Sequence, residues 1–387
     1  MKWYTSCWWV GWLLVMLTAG CQQPALPAMH LSTTDTIGVE TPVPVRMEYT
    51  SGKEHWASTG TIQRRGGMSL KYEKHSYKIE LDKKTGLAGL PEDDDWIIHA
   101  SAIDKTFLRN TISYTWFREM SELNRAPAFR YMELYLNGDY RGLYILMEQL
   151  ESTRLGLHKK DSTACIFKDP PVFRSDTIEP QDAGNYYQQT YPDGGNAYGT
   201  ALMTQIRTRL LAAPDSSFSA WSKALFDWNN IADWQILLLL TNNGDGVLKN
   251  FYLYRQDASA PLRVAPWDYD HSFGRDGDYE YNMLATVVEP ERNLLIKNLM
   301  YLPEYRQLLA ARWKALRASG IISNEHFIGL IDAQYHLLQS ATAANSALWP
   351  DNSWWYFDDN NFEQEVDIMK QFMELRIPQL DTWMADL

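Results

Sequence analysis

The segment YMELYLNGDYRGLYILMEQL, residues 131–150, decides the fold class. Met132, Leu134 and Leu136 alternate up to Asn137-Gly138, and Leu143, Ile145 and Met147 alternate on the way back. Asn-Gly between two alternating runs is the strongest short hairpin signal, because both residues tolerate the positive φ of a tight turn. Tyr144 and Leu146 make the returning strand apolar on its second face as well, so it is expected to be central. Glu148 stands at its end, where a carboxylate on an apolar strand needs a partner.

Upstream of the hairpin the pattern is also that of strands. Val39, Val43, Val45 and Met47 fall at odd positions around Pro42 and Pro44, which predicts an edge strand at most. Residues 59–81 hold two further strand candidates separated by Gly66-Gly67. In the second, Tyr77, Ile79 and Leu81 share one face, and Lys74, Ser76, Lys78 and Glu80 share the other. An acidic loop at 91–95 follows. Apolar spacing then predicts a helix over 104–123 with Asp104 as its N-cap.

Downstream, residues 170–199 carry no period and read as a long loop. From Ala201 the pattern is mainly helical. Residues 231–240 form a strongly apolar helix preceded by the capping signal Asn229-Asn230, and two short strands are expected at 251–254 and 262–265. The remainder, 293–387, reads as helices. The whole is an α+β plan, sheet-rich in its first half and helical in its second.

The first residues address the compartment. Lys2, an apolar run over 8–17, and Thr18-Ala19-Gly20-Cys21 read as a secretory signal peptide over 1–20. The run is too short for a bilayer span. The exit resembles a lipobox, with Cys21 as the lipidated residue; plain secretion is the other reading. Residues 21–36, rich in Pro, Ala, Ser and Thr, are expected to tether a domain over 37–387 to a lipid anchor. The expected location is therefore the bacterial cell envelope, periplasmic or at the surface. Beyond Cys7 and Cys21 only Cys165 remains, so no disulfide is expected and the core must hold the fold. The net charge of −12 argues against a nucleic-acid partner, which needs a basic face.

Two segments carry candidate chemistry: NNGDGVLKN, residues 242–250, and VAPWDYDHSFG, residues 264–274. Asp245 and Asn250 are five apart, as are the proton-accepting Asp and metal-binding Asn of protein kinase catalytic loops, and Asp268 follows a short strand as the kinase metal-binding Asp does. Phosphoryl transfer asks for positioning, a metal on the phosphates and one group oriented on the incoming hydroxyl. Asn243 and Gly244 stand where the common loop has His and Arg, and there is no Asp-Phe-Gly, no Gly-x-Gly-x-x-Gly and no P-loop. The competing reading is a pair of polar turns.

A wider set of segments resembles the CotH (spore coat protein H) kinase family. They are Arg65-Gly66-Gly67-Met68-Ser69, Lys74-His75-Ser76-Tyr77-Lys78-Ile79, Phe107-Leu108-Arg109-Asn110, the hairpin through Glu148, Phe167-Lys168, the run from Asp245 to Tyr254, and Pro266-Trp267-Asp268-Tyr269-Asp270. They keep family order from about residue 60 to 275, with His75 where Lys is usual. The resemblance implies an atypical protein-kinase-like fold, with an N-lobe over about 37–168 and a C-lobe over about 200–387. It implies ATP- and Mg2+- or Mn2+-dependent phosphorylation of a protein acceptor. It also implies Asp245 as catalytic acid/base and Asn250 and Asp268 as metal ligands, with Asp270 in reserve. Lys78, Arg65, Glu148 and Lys168 are the candidates for nucleotide contact. For Lys78 the bland alternative is a solvent-facing strand lysine, and for Glu148 a buried ion pair. The rival functional reading is a catalytically inactive kinase-like scaffold acting as a surface binding protein or adhesin, to which the Trp354-Trp355-Tyr356 run would suit. A glycosidase is a third option, but no carboxylate pair is singled out by spacing.

Overall fold

The structure, a computed structural model, describes residues 26–175, 186–275, 289–350 and 360–387. The expected signal peptide, Cys21 and the aromatic run 354–356 lie outside the described residues. Among the described residues seven strands come first: β1 (Ala28–Ser32), β2 (Val43–Ser51), β3 (Glu54–Arg65), β4 (Ser76–Thr85), β5 (Asp93–His99), then, after helix α1 (Arg109–Met120), β6 (Phe129–Leu136) and β7 (Asp139–Glu148). They close into a barrel in the order β1-β2-β3-β4-β5-β7-β6.

Closure depends on β1, which pairs antiparallel with β2 and parallel with β6. This corrects the tether expected over 21–36. Met29 and Leu31 are buried in the barrel, and Asn137 N–H donates to Leu31 O at 2.8 Å. It also corrects the edge assignment of β2, which has neighbours on both sides. Pro44 is tolerated because β1 covers only residues 46–50 of β2, leaving the Pro44 end paired on the β3 side alone.

The hairpin at 131–150 forms as expected, with Asn137 and Gly138 both at positive φ. β7 lies between β5 and β6, as its two apolar faces require. Tyr144 and Leu146 pack inside the barrel with Trp96, Ile98, Met132 and Leu134. Leu143, Ile145 and Met147 join the second core with the helices. Each such side chain contributes about 1.5–3 kcal/mol by full burial, so this one strand ties the two cores together. Gly142, at φ +97°, permits a close approach of the helical part. A Cβ there would sit 2.5 Å from Asn345 Oδ1, which accepts the Leu143 N–H at 3.3 Å.

The second part begins with β8 (Cys165–Lys168), β9 (Gln189–Tyr191), α2 (Ala197–Leu211), α3 (Phe218–Leu225) and α4 (Trp228–Thr241). The expected loop over 170–199 thus contains β9 and the start of α2 among its described residues. α4 is capped by Asp227, whose carboxylate accepts from the Asn229 and Asn230 N–H groups. Asn229-Asn230 therefore lie inside the helix rather than before it. β10 (Phe251–Arg255) and β11 (Arg263–Pro266) complete a sheet of order β11-β10-β8-β9. Among the described residues four helices follow: α5 (Leu294–Met300), α6 (Pro303–Ala318), α7 (Asn324–Leu348) and α8 (Phe362–Ala385). The α+β content is as expected; the sheet-rich first half is a closed barrel where the resemblance implied a kinase N-lobe. Among the described residues no helix is long and apolar enough to cross a membrane.

Helix α1 starts at Arg109, five residues later than the sequence predicts, with Leu108 at its N-cap. Asp104 still serves the helix start, accepting from Arg109 N–H at 3.0 Å. The Arg109 side chain is fully buried. Its Nη1 lies 2.6 Å from Asp104 Oδ1, its Nη2 2.8 Å from Glu365 Oε2 on α8, and its Nε donates to Ser272 O at 2.9 Å. Arg275 also pairs with Glu365. Removing one partner of such a buried pair leaves an uncompensated charge. Glu365→Ala is therefore expected to cost about 3–5 kcal/mol in urea unfolding; an unchanged midpoint contradicts this role.

Candidate active site

The two signature segments are shaped before they meet. α4 ends at Asn242, in the left-handed region at φ +54°. Buried Asn243 accepts the Gly246 N–H at 2.8 Å, which winds residues 245–247 into a 3-10 turn carrying Asp245. A Cβ on Gly246 would lie 2.8 Å from Leu238 Cδ2, so the turn packs directly on α4. Lys249 Nζ stands 2.8 Å from Asp245 Oδ2.

Asn250 and Asp268 flank the β10–β11 pair. Both have left-handed backbones, at φ +62° and +59°. Non-glycine residues adopt that region rarely and need support. Here the support is explicit. Asn250 Nδ2 donates to Asp268 O at 2.9 Å, and Trp267 N–H donates to Asn250 O at 2.9 Å. Tyr114 Oη accepts the Asp268 N–H at 2.9 Å, and Asn110 Oδ1 accepts the Tyr269 N–H at 2.6 Å. Both of the latter come from α1, one turn apart on the same face. The Asn250 bond uses its amide nitrogen and leaves Oδ1 as the acceptor on that side chain.

These residues line a cleft of about 660 Å³ between the barrel and the second sheet. Of the residues singled out in the sequence, Arg65, Lys168, Asp245, Asn250, Asp268 and Asp270 all reach it. Arg65 comes from the end of β3 and stacks over Trp267 at 5.6 Å. Lys168 ends β8; burial, then the neighbouring Arg65 charge, lower its pKa. Asp270 is pushed up to about 7, chiefly by burial and then by Asp268.

Lys78 faces an adjoining recess of about 340 Å³, which shares Arg65 and Lys168 with the cleft. It is partly exposed and ion-paired, with Asp95 2.8 Å away. Burial works against its charge, but the Asp95 hydrogen bond with the Asp95, Glu151 and Glu80 charges outweighs it, and the pKa is raised. Glu151 lines the same recess. Its pKa is pushed from 4.5 to about 7 by burial and then by Asp95, against the pull of Lys78.

Glu148 is not brought to the cleft. It pairs with Arg154 at 3.1 Å, accepts the Ala128 N–H at 3.0 Å, and lines a separate pocket beside Arg118 and Arg125. The reason is its place on β7, whose end abuts the residues before β6. The sequence reading also missed cleft residues. Asp169 stands next to Lys168, and its carboxylate accepts the Phe251 N–H at 3.1 Å while its φ is +50°. Burial raises its pKa. His99 faces Asp268, yet burial holds its pKa down to about 4. Only adjacency to a matched motif could have flagged Asp169, and nothing in the sequence flags His99.

Among the described residues no group of three or more His, Cys, Asp or Glu is placed to hold a metal ion. The donor set still suits a magnesium-like ion, which takes one or two carboxylates and fills its shell with phosphate oxygens and water. Asp268 and the Asn250 amide oxygen are hard oxygen donors of the kind such an ion takes, and Arg65 and Lys168 are cations lining the same cleft.

The profile of the family described as CotH kinase protein matches residues 62–380. The inner spore coat protein H of Bacillus subtilis (strain 168) is 26% identical over 225 residues, which is 56% of this chain and 59% of that protein. The chain thus spans less than two thirds of the curated relative that it matches.

The recess makes a pH prediction. Because the Glu151 pKa is raised on folding, the stability linked to it is present below 4.5 and is lost as pH rises toward 7. Glu151→Gln mimics the protonated form. Its unfolding free energy should match wild type near pH 4.5 and exceed it by about 1–2 kcal/mol at pH 8, after discounting for partial exposure. A pH-independent offset in urea titrations contradicts this.

Proposed function

The chain belongs to the CotH kinase family, and from that premise we propose that it transfers the terminal phosphoryl group of ATP to a hydroxyl of a protein acceptor. The observation that carries the reading is convergence. Asp245, Asn250 and Asp268 share one cleft with Arg65 and Lys168, although they come from a helix-end turn, a strand pair, the barrel rim and β8. The barrel above the helical part serves as the N-lobe of an atypical kinase fold on this reading.

Each residue has a distinct task. Arg65 and Lys168 bind phosphate oxygens, and Lys78, fixed by Asp95, closes the adjoining recess. Asn250, through Oδ1, and Asp268 hold a divalent ion, with Asp270 and Asp169 behind them. When bound, Mg2+ or Mn2+ neutralises charge on the phosphates. Asp245 orients the acceptor hydroxyl and accepts its proton as the new O–P bond forms and the bond to ADP breaks. Lys249, 2.8 Å from Asp245, holds that carboxylate in place. By the same proposal the chain works outside the cytoplasm, lipid-anchored through Cys21 to the cell envelope, with no nucleic-acid partner.

Isothermal titration of the purified full chain with ATP and either metal tests this. Metal-dependent binding is expected, weakened at least about tenfold in Asp268→Asn. Asp245→Asn should keep nucleotide binding and lose about 10²–10⁴-fold in phosphoryl transfer. No ATP binding by the folded chain with either metal overturns the proposal in favour of an inactive binding scaffold.

A further inference from the structure

The barrel rim where β3 ends and β4 and β7 begin carries cations that do not belong to the cleft. Cross-strand partners share a face of the sheet, and the last two pairs of β3 with β4 point opposite ways. Arg65 and Ser76 line the cleft. Arg64 pairs with Tyr77, which packs inside the barrel, so Arg64 is directed to the barrel side. Tyr144 lies beside Tyr77, with ring centroids 6.4 Å apart. Arg141, near the start of β7, has its guanidinium 5.2 Å from the Trp349 ring, and Trp349 Nε1 donates to Arg141 O at 3.0 Å. His75 immediately precedes β4. None of Arg64, His75 and Arg141 lines the cleft.

These groups are short of acceptors. The Nε atoms of Arg64 and Arg141, Nδ1 of His75 and the hydroxyl of fully buried Tyr144 are shut off from solvent and make no hydrogen bond. Among the described residues neither guanidinium has an ion pair. Burial, then the charges of Arg64 and Arg141, lower the pKa of His75, and burial raises that of Tyr77 against the pull of Arg141 and Arg64. The two guanidiniums thus act together on both residues, and no carboxylate does. Arg109, Arg154 and Arg312, by contrast, each have a carboxylate partner. Arg64, His75 and Arg141 are themselves half-buried, so the group opens to solvent.

We infer that this rim is a binding site for a phosphate group, separate from the cleft. Like charges held together with orphaned donors need an anion. A carboxylate offers one charge and two oxygens in a plane, which a single guanidinium satisfies. Two guanidiniums with an imidazole beside them match a tetrahedral group with more oxygens and about −1.5 to −2 charges near pH 7. Inorganic phosphate and a phosphorylated side chain both present that chemistry. The inference does not depend on phosphoryl transfer, since a chain that binds no ATP can still hold phosphate here.

The test is isothermal titration of the full chain at constant ionic strength with four probes: inorganic phosphate, a phosphoserine peptide, its unphosphorylated twin, and acetate. The cleft can also take phosphate, so each titration is repeated in Lys168→Met, Arg64→Met and Arg141→Met. Phosphate or the phosphopeptide should bind the wild-type chain at least about tenfold more tightly than acetate or the unphosphorylated twin. That binding should persist in Lys168→Met and weaken at least about tenfold in each arginine variant. The thermal midpoints of the arginine variants should be unchanged or raised, because a like-charge repulsion is relieved. The tighter of the two phosphate probes identifies the source of the group. The wild-type comparison with acetate decides the matter even where a variant fails to fold. No binding of either phosphate probe, equal binding of acetate or of the unphosphorylated twin, or loss in Lys168→Met with retention in the arginine variants overturns the inference.

Discussion

The site depends on how the backbone of Asp268 is held. Its φ of +59° is a conformation that a free chain avoids, and it persists because groups from separate elements grip it. Tyr114 and Asn110 of α1 take the N–H groups of residues 268 and 269, and Asn250 takes the carbonyl of 268. Arg109, on the same helix, holds the Ser272 carbonyl. The first half of α1 thus controls both ends of the 268–272 segment. Arg109 is itself held by Asp104 and Glu365, so the C-terminal helix α8 braces the carboxylates from behind.

The cations of the cleft come from both sheets. Arg65 reaches the cleft from the end of β3 and Lys168 from β8, two strands in different sheets. Buried Lys74 locks the rim in register by donating to Ala100 O at 2.7 Å and Leu143 O at 2.5 Å, between the rings of Phe107 and Tyr144. Burial holds the Lys74 pKa well below that of an ordinary lysine, so it acts as a structural donor facing neutral carbonyls.

Much of this could be read in the sequence, where the signal was local. The Asn137-Gly138 hairpin and the two-faced β7 follow from alternation. The convergence of Asp245, Asn250 and Asp268 follows from two turns joined by a strand pair. What could not be read depends on distant partners. β1 has five residues in a Pro- and Thr-rich stretch, and it is a strand because it pairs with β2 on one side and, about a hundred residues later, with β6 on the other. Glu148 carried the signature of a buried carboxylate, but its partner, Arg154, lies outside the hairpin. Asp169, His99 and Glu151 matter through what surrounds them, which no spacing reveals.

The central claim is that this cleft is a phosphate and metal site assembled by the Asp268 constraint. Its most direct test is a crystal structure of the chain with manganese and a non-hydrolysable ATP analogue, read by anomalous scattering. The account predicts manganese bound by Asp268 and the Asn250 side-chain oxygen, with phosphates against Arg65 and Lys168. An analogue seated in the Glu148 pocket, or manganese away from Asp268, would contradict it.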